Sequence, residues 1–414
     1  MRSRTAPLDG RPSLARGGSL IAPALTVVNL AGYVLTVAAA RAFDHDAYGR
    51  FGALLAVLLV VSVPGLAVQS VVARSVAARG RRDPAYERAL VQRALLVGIA
   101  ASCVIAAASP LVAAFLHTGI AGPLWVAAQV APLTMLSAGM GLLQGAERFR
   151  ALALVLGGQA LGKAVGLVPL AVGGGVTDVL AALTVGAAGS AVLALVVAGP
   201  DVLHGSRERG TALPTLRDLG LAAAGLLTVL VLSNVDLLLA RHLLSGDQSG
   251  RYSVGAVLAK VAFWLPQAVA VVIFPRLAEE GGRELLRRAL LLVAGLGGVE
   301  VLGCLLLARP VLELTFGTSY GSLAPIAWLW VLQGVGLSLV QLFVYRAIAT
   351  RDGGTGKLIG AAAGLEAAVL LVLSPNRPGA IAGVAAATLV LLTLVLITRA
   401  FSGPLRPRSD PHPR

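Results

Sequence analysis

The sequence predicts an all-α polytopic membrane protein, with twelve transmembrane helices in two six-helix lobes related by a parallel pseudo-repeat. Three observations predict it. Twelve apolar spans have membrane length, the basic residues between them alternate, and landmarks of the first half recur about 200 residues later. Hydrophobic residues make up 57 % of the chain and charged residues 13 %, where a soluble domain carries about 25 % charged.

The spans lie near 19–40, 51–73, 90–116, 123–144, 151–172, 178–198, 218–240, 252–275, 289–308, 324–348, 358–374 and 379–398. Most approach the roughly 20 residues that cross a hydrocarbon core. The two tails and the even-numbered loops hold 24 Lys and Arg, the odd-numbered loops only 6. Basic loops stay on the cytoplasmic side, so both termini are expected there. The first span follows an Arg-rich tail and ends in Ala38-Ala39-Ala40. Its apolar stretch is too long for a signal core of about 7–15 residues, so it reads as a retained first helix. The expected organisation is a basic tail over 1–18, a first lobe over 19–198, a linker over 199–217, a second lobe over 218–398 and a tail over 399–414.

The repeat rests on ordered landmarks. Ala40-Arg41 and Gly49-Arg50-Phe51 face Ala240-Arg241 and Gly250-Arg251-Tyr252. Pro64 faces Pro266, Arg74 faces Arg276, and Ser109-Pro110 faces Arg309-Pro310. Six spans per half make the repeat parallel, with a substrate path between the halves. Pro64 and Pro266 each remove a backbone hydrogen bond and are helix-bend candidates, either fixed kinks or bends that differ between states. The stretch from Arg309 to Leu323 is expected as the longest loop opposite the Arg-rich side. The net charge of +14 follows from the cytoplasmic loops, which suit contact with anionic membrane lipids rather than nucleic acid. Cys103 and Cys304 fall inside spans and read as packing.

A charge inside the membrane costs about 2.5–3.5 kcal/mol on insertion scales, which marks it as functional. The interior charges are Lys163, Asp236, Lys260, Glu300 and Glu366. Arg93 and Arg346 lie near span ends, where they can snorkel. Only three of 34 basic residues are Lys, an Arg bias that suggests a high-GC bacterial genome, yet two of those lysines are interior. Lys260 has Leu59 at its repeat position. The substrate-binding candidates are Lys260, Asp236, Lys163, Asn29, Gln69 and Gln267. For Lys260 and Asp236 a structural ion pair and a cavity cation oriented by a carboxylate both remain open. Glu300 and Glu366 are expected to pair with basic groups of the second half. No catalytic set, metal cluster or cofactor motif is present in the sequence. Gly353-Gly354-Thr355-Gly356-Lys357 has the glycines of a phosphate loop without its spacing.

The landmarks resemble the multidrug/oligosaccharidyl-lipid/polysaccharide (MOP) exporter superfamily, in particular its Wzx-like polysaccharide flippases. The resemblance is carried by Asp46-Ala47-Tyr48-Gly49-Arg50-Phe51, by Asn234-Val235-Asp236 with Ser249-Gly250-Arg251-Tyr252 and Phe274-Pro275-Arg276-Leu277, and by Phe316-Gly317-Thr318-Ser319-Tyr320. It implies a MATE-like fold with a central cavity lined by the first, second, seventh and eighth helices. It also implies a polyprenyl-pyrophosphate-linked oligosaccharide as cargo, carried across the bacterial inner membrane, with the pathway's polymerase or glycosyltransferases as partners. The peptidoglycan-lipid branch uses cavity arginines on these helices. Here only Lys260 is comparable, which argues against that cargo. The alternatives are a cation-coupled small-molecule antiporter, kept open by Asp236, and a membrane glycosyltransferase or polymerase. The latter lacks the large loop or acidic motif it would need. The protein is therefore expected to be a transporter and not an enzyme.

Overall fold

The computed structural model describes the backbone of residues 11–80, 82–199, 214–280, 283–350 and 352–402. The side chains of 11–20, 216–218, 221–222, 225–226, 265–280 and 348–350 lie outside the description, and with them Gln267 and the ring of Pro266. Every described element is a helix. Ten stretches are long and apolar enough to cross a membrane, and they are the first to sixth and ninth to twelfth spans. The seventh span is built from helices Leu216–Leu232 and Val235–Leu243, the eighth from helix Gly246–Glu280.

Local chemistry sets the ends. Asp44, Asp83 and Asp352 cap helix N-termini, accepting from the amides of Ala47, Tyr86 and Gly354 at 2.7, 3.1 and 2.9 Å; such caps satisfy amides with no partner in the helix. Three spans are broken inside the membrane. The second divides into His45–Val61 and Val63–Arg79, with Pro64 in the first turn of the second piece. The fifth divides into Phe149–Ala164 and Leu167–Ala171. There Pro169 has no N–H for the carbonyl of Val165, one turn back. The seventh breaks at Ser233–Asn234 without a proline. Asn234 Nδ2 and Ser233 Oγ donate to the Leu230 carbonyl at 2.8 and 3.1 Å and so compete with the helical ladder. By contrast, the eighth helix runs unbroken through position 266.

The stretch expected as the longest loop is helical. The ninth helix continues to Phe316, and a 3-10 helix spans Thr318–Ile326. The extra turns carry an Arg309–Glu313 pair at 2.9 Å, the i,i+4 spacing that supports a helix.

The chain forms two compact units, Met1–Ser253 and Val254–Arg414. The boundary falls at the start of the eighth helix; most of the expected linker, 199–217, lies outside the described residues. In the first unit the fourth span, Ala121–Gly145, is central, with 78 % of its core window buried against 11 % for the third. It packs on the third and sixth spans and on the second half of the second. The first span lies along the fifth, and the fifth along the sixth. Gly186 and Gly162 let the fifth and sixth backbones meet, since a Cβ on Gly186 would stand 2.0 Å from the Gly162 carbonyl oxygen. In the second unit the tenth span is central and packs on the ninth and twelfth. The repeat offset maps the third, fourth and sixth spans onto the ninth, tenth and twelfth, so both units use the same arrangement.

Candidate transport site

Lys163 sits one turn before the break in the fifth span. Its ammonium reaches the first span and donates to the Val28 carbonyl at 3.3 Å. Gly32 leaves the space beside it open: a Cβ there would lie 3.5 Å from Nζ. No carboxylate pairs with Lys163 among the described residues. An ammonium has three donors, and this one places a single hydrogen bond on the described residues. Asn29, the residue after Val28, is half-buried on the same helix.

Asp236 opens the second piece of the broken seventh span and is 2 % exposed. The Tyr252 hydroxyl donates to its carboxylate at 2.6 Å. Asn234, beside it, is also buried, and its Oδ1 has no hydrogen-bond partner. At the repeat offset the equivalent residues are Thr36 and Phe51, so the first half has neither the carboxylate nor the hydroxyl. The pair belongs to one copy of the repeat only.

Around it, the repeated motifs pack against each other. Arg241 is 5 % exposed and donates to Asp46 Oδ1 at 2.6 Å, Ser249 Oγ at 2.8 Å, and the carbonyls of Leu116 and His117 at 2.8 and 3.1 Å. His242 adds a contact to the Phe115 carbonyl at 2.9 Å and stacks on the Phe115 ring. Gly49 and Gly250 make the close approach possible. A Cβ on Gly250 would stand 1.8 Å from the His45 carbonyl oxygen, and one on Gly49 2.8 Å from the Gly250 nitrogen. Arg50–Asp46 and Arg251–Asp247 form matching i,i+4 pairs at 3.3 and 2.9 Å. His45 joins the second pair through Asp247. Burial raises the Asp247 carboxyl, but hydrogen bonds and charge from Arg251 and His45 outweigh it, and its pKa lies below the ordinary carboxylate value. This end is where the basic loops are absent. Arg241 repeats Arg41, which is exposed; sequence spacing alone did not distinguish the two.

The remaining predicted residues have other surroundings. Gln69 is bonded to Gln144 at 3.2 Å, linking the second and fourth spans. Lys260 is half-buried in the second unit, while Lys163 and Asp236 belong to the first. Gln267 lies outside the described side chains. Glu366 is 1 % exposed. Glu300, expected to pair with a basic group, forms no ion pair among the described residues, and its Oε2 is without a hydrogen bond. Val299 and Leu302, near it in the chain, are exposed at 68 and 58 %.

No family model and no curated protein matches the chain. Solved structures do. The chain is similar to a lipid II flippase, MurJ, in an inward closed conformation, with a TM-score of 0.72, 10 % identity, and coverage of 92 % of this chain and 87 % of that one. An inward-facing multidrug resistance MATE family transporter of the MOP superfamily matches with a TM-score of 0.66, 13 % identity, and coverage of 89 and 94 %. A MOP superfamily transporter from Pyrococcus furiosus, described as having a binding pocket of reverse polarity that suggests a different function, matches with a TM-score of 0.59, 14 % identity, and coverage of 94 and 95 %. The fold is therefore that of MOP superfamily transporters, as the sequence motifs indicated. These structural neighbours are transporters and a flippase, and the chain is a multi-pass membrane protein with their architecture.

Proposed function

We propose that the protein is a flippase that moves a polyprenyl-pyrophosphate-linked oligosaccharide across a bacterial inner membrane by alternating access, with both termini in the cytoplasm. The observation that carries this reading is Lys163, an interior cation whose one bond among the described residues is to the Val28 carbonyl. A charge at that depth is destabilising without a counter-charge, and an anionic head group supplies one. Lysine suits the task because it is a compact point charge that binds phosphate without a fixed fork. Lys260 remains the candidate cation of the second unit, and Asp236 acts through Tyr252 rather than on the cargo. Membrane potential favours export: an outward-moving negative charge gains about 2.3 kcal/mol per 100 mV, so two charges gain roughly 4.6 kcal/mol. Glycosyltransferases would supply the cargo, and a polymerase would consume it.

The test uses the full chain in proteoliposomes with a fluorescent polyprenyl-pyrophosphate oligosaccharide. Lys163→Met should slow flipping at least about tenfold, and Lys163→Arg should retain part of it, since the charge survives with altered geometry. Normal flipping by Lys163→Met overturns the reading. One observation supports a second reading, a cation-coupled antiporter. Asp236 and the unpartnered Asn234 Oδ1 lie together at a helix break, where half-helices hold ions in other transporter folds. On that reading, efflux of a cationic dye depends on a sodium or proton gradient and is lost in Asp236→Asn.

A further inference from the structure

The second unit has a cavity of about 90 Å3, open on one side, at its Arg-rich end, between the tenth, eleventh and twelfth spans. Arg346 and Arg399 line it, with Asp352, Thr355, Phe343 and Leu396. Asp352 is already engaged. It accepts from the Gly354 amide and the Thr355 hydroxyl, each at 2.9 Å, and from Arg399 at 3.0 Å. Burial raises the Asp352 carboxyl, and those bonds together hold it below the ordinary value. Arg283, at the start of the ninth span, adds its positive charge close to Arg346. Two arginines, Arg346 and Arg399, therefore line the cavity with one carboxylate, Asp352, which already accepts three hydrogen bonds. Arg346, expected near a span end where it can snorkel, lines this cavity.

The walls name the ligand. One side is cationic and the other is the apolar pair Phe343 and Leu396. Arg399 lies one and two turns beyond Val395 and Leu391, which are exposed at 47 and 60 %. Residues four apart share a helix face, so Arg399 ends an uncovered apolar stripe of the twelfth span. We propose that this cavity binds the phosphate of an anionic phospholipid, with the acyl chains along the Val395–Leu391 stripe and the head group on Arg346 and Arg399. Basic pockets between membrane helices are suited to such head groups. The glycine-rich segment 353–357 contributes its helix start by holding Asp352 and thereby fixing Arg399. This site is separate from the cargo reading and does not depend on it.

The experiment is native mass spectrometry of the purified full chain, exchanged between phosphatidylcholine nanodiscs and nanodiscs containing phosphatidylglycerol. The wild type should retain phosphatidylglycerol in preference to phosphatidylcholine. The double variant Arg346→Gln/Arg399→Gln should retain it about tenfold less, as expected for loss of charge-assisted hydrogen bonds. Leu396→Trp, which fills the cavity with both charges kept, should lower retention as well and guards against misfolding of the double variant. Equal retention by wild type and Leu396→Trp overturns the proposal. Displacement of the lipid by millimolar inorganic phosphate shows that phosphate alone is the ligand and overturns the lipid assignment. Resistance to phosphate supports it.

Discussion

Arg241 and Lys163 are both cations held inside the first unit, and their surroundings are opposite. Arg241 places its guanidinium on one carboxylate, one hydroxyl and two carbonyls. Lys163 meets one carbonyl among the described residues. The difference separates two uses of an interior charge. A cation whose donors are all taken by the chain fixes helices in place. A cation with donors to spare leaves room for something that is not part of the chain. At the Arg-rich ends of both units arginines are also held by the chain. Arg148 is occupied by the carbonyls of Ala198 and Val197 at 2.8 and 2.9 Å, and Arg79 by Asp83 and the Tyr86 ring. In the second unit, Arg399 is paired with Asp352 at 3.0 Å and, with Arg346, also lines a cavity.

The comparison breaks most readily at Arg241. Arg241→Met removes four hydrogen bonds and leaves the Leu116 and His117 carbonyls unpaired. Asp46 is partly exposed, so water takes over some of its charge and limits the loss. The expected destabilisation is about 2–3 kcal/mol, measured as the shift in unfolding midpoint of the detergent-solubilised protein. An unchanged midpoint would show that Arg241 does not hold this end together. Tyr252→Phe should have a smaller effect, about 1–2 kcal/mol, because it leaves the buried Asp236 carboxylate one donor short. Phe51 is buried at the repeat position, so the ring itself is tolerated. A loss well above that range would point to a packing defect rather than the hydrogen bond.

The Asp247 cluster gives a weaker, pH-dependent effect. The folded pKa of Asp247 is below its ordinary value, so the unfolded chain takes up its proton first as pH falls. Its contribution to stability is present above about pH 4, the ordinary carboxylate value, and is lost as pH falls through the folded pKa. Asp247→Asn should therefore lower the unfolding midpoint at neutral pH and lose that difference toward pH 3. A difference that persists at low pH would remove the electrostatic explanation.

The fold was largely legible in the sequence because membrane helices are written in length and charge placement. The alternation of Arg, the offset of Gly49-Arg50-Phe51 and Gly250-Arg251-Tyr252, and the shared fold of the solved transporters agree. Charge partners were less legible. Lys163 stood out as interior, but that its bond would go to Val28 depends on how the fifth span lies along the first. Arg241 was set among ordinary loop residues, because nothing in the sequence says that Asp46, 195 positions away, turns toward it. The break at Ser233–Asn234 carries no proline, and its signal was two adjacent side chains that bond back to Leu230. The Arg309–Leu323 stretch reads as a loop because it falls in the gap between two apolar spans, yet the Arg309–Glu313 pair is a helix signal within it.

Lys163→Met should change stability least of all, and this sharpens the comparison further. Removing a cation with one weak backbone bond loses little, and removing a poorly paired interior charge offsets that loss. The methionine chain fills similar volume beside Gly32. The expected shift in unfolding midpoint is within about 0.5 kcal/mol, either way, while flipping falls in the same preparation. Stability and activity would then separate at Lys163, whereas at Arg241 the loss begins with stability. If Lys163→Met unfolds as readily as Arg241→Met, the lysine is a structural tie between the first and fifth spans. The spare donors would then have a partner that its bond to Val28 does not reveal.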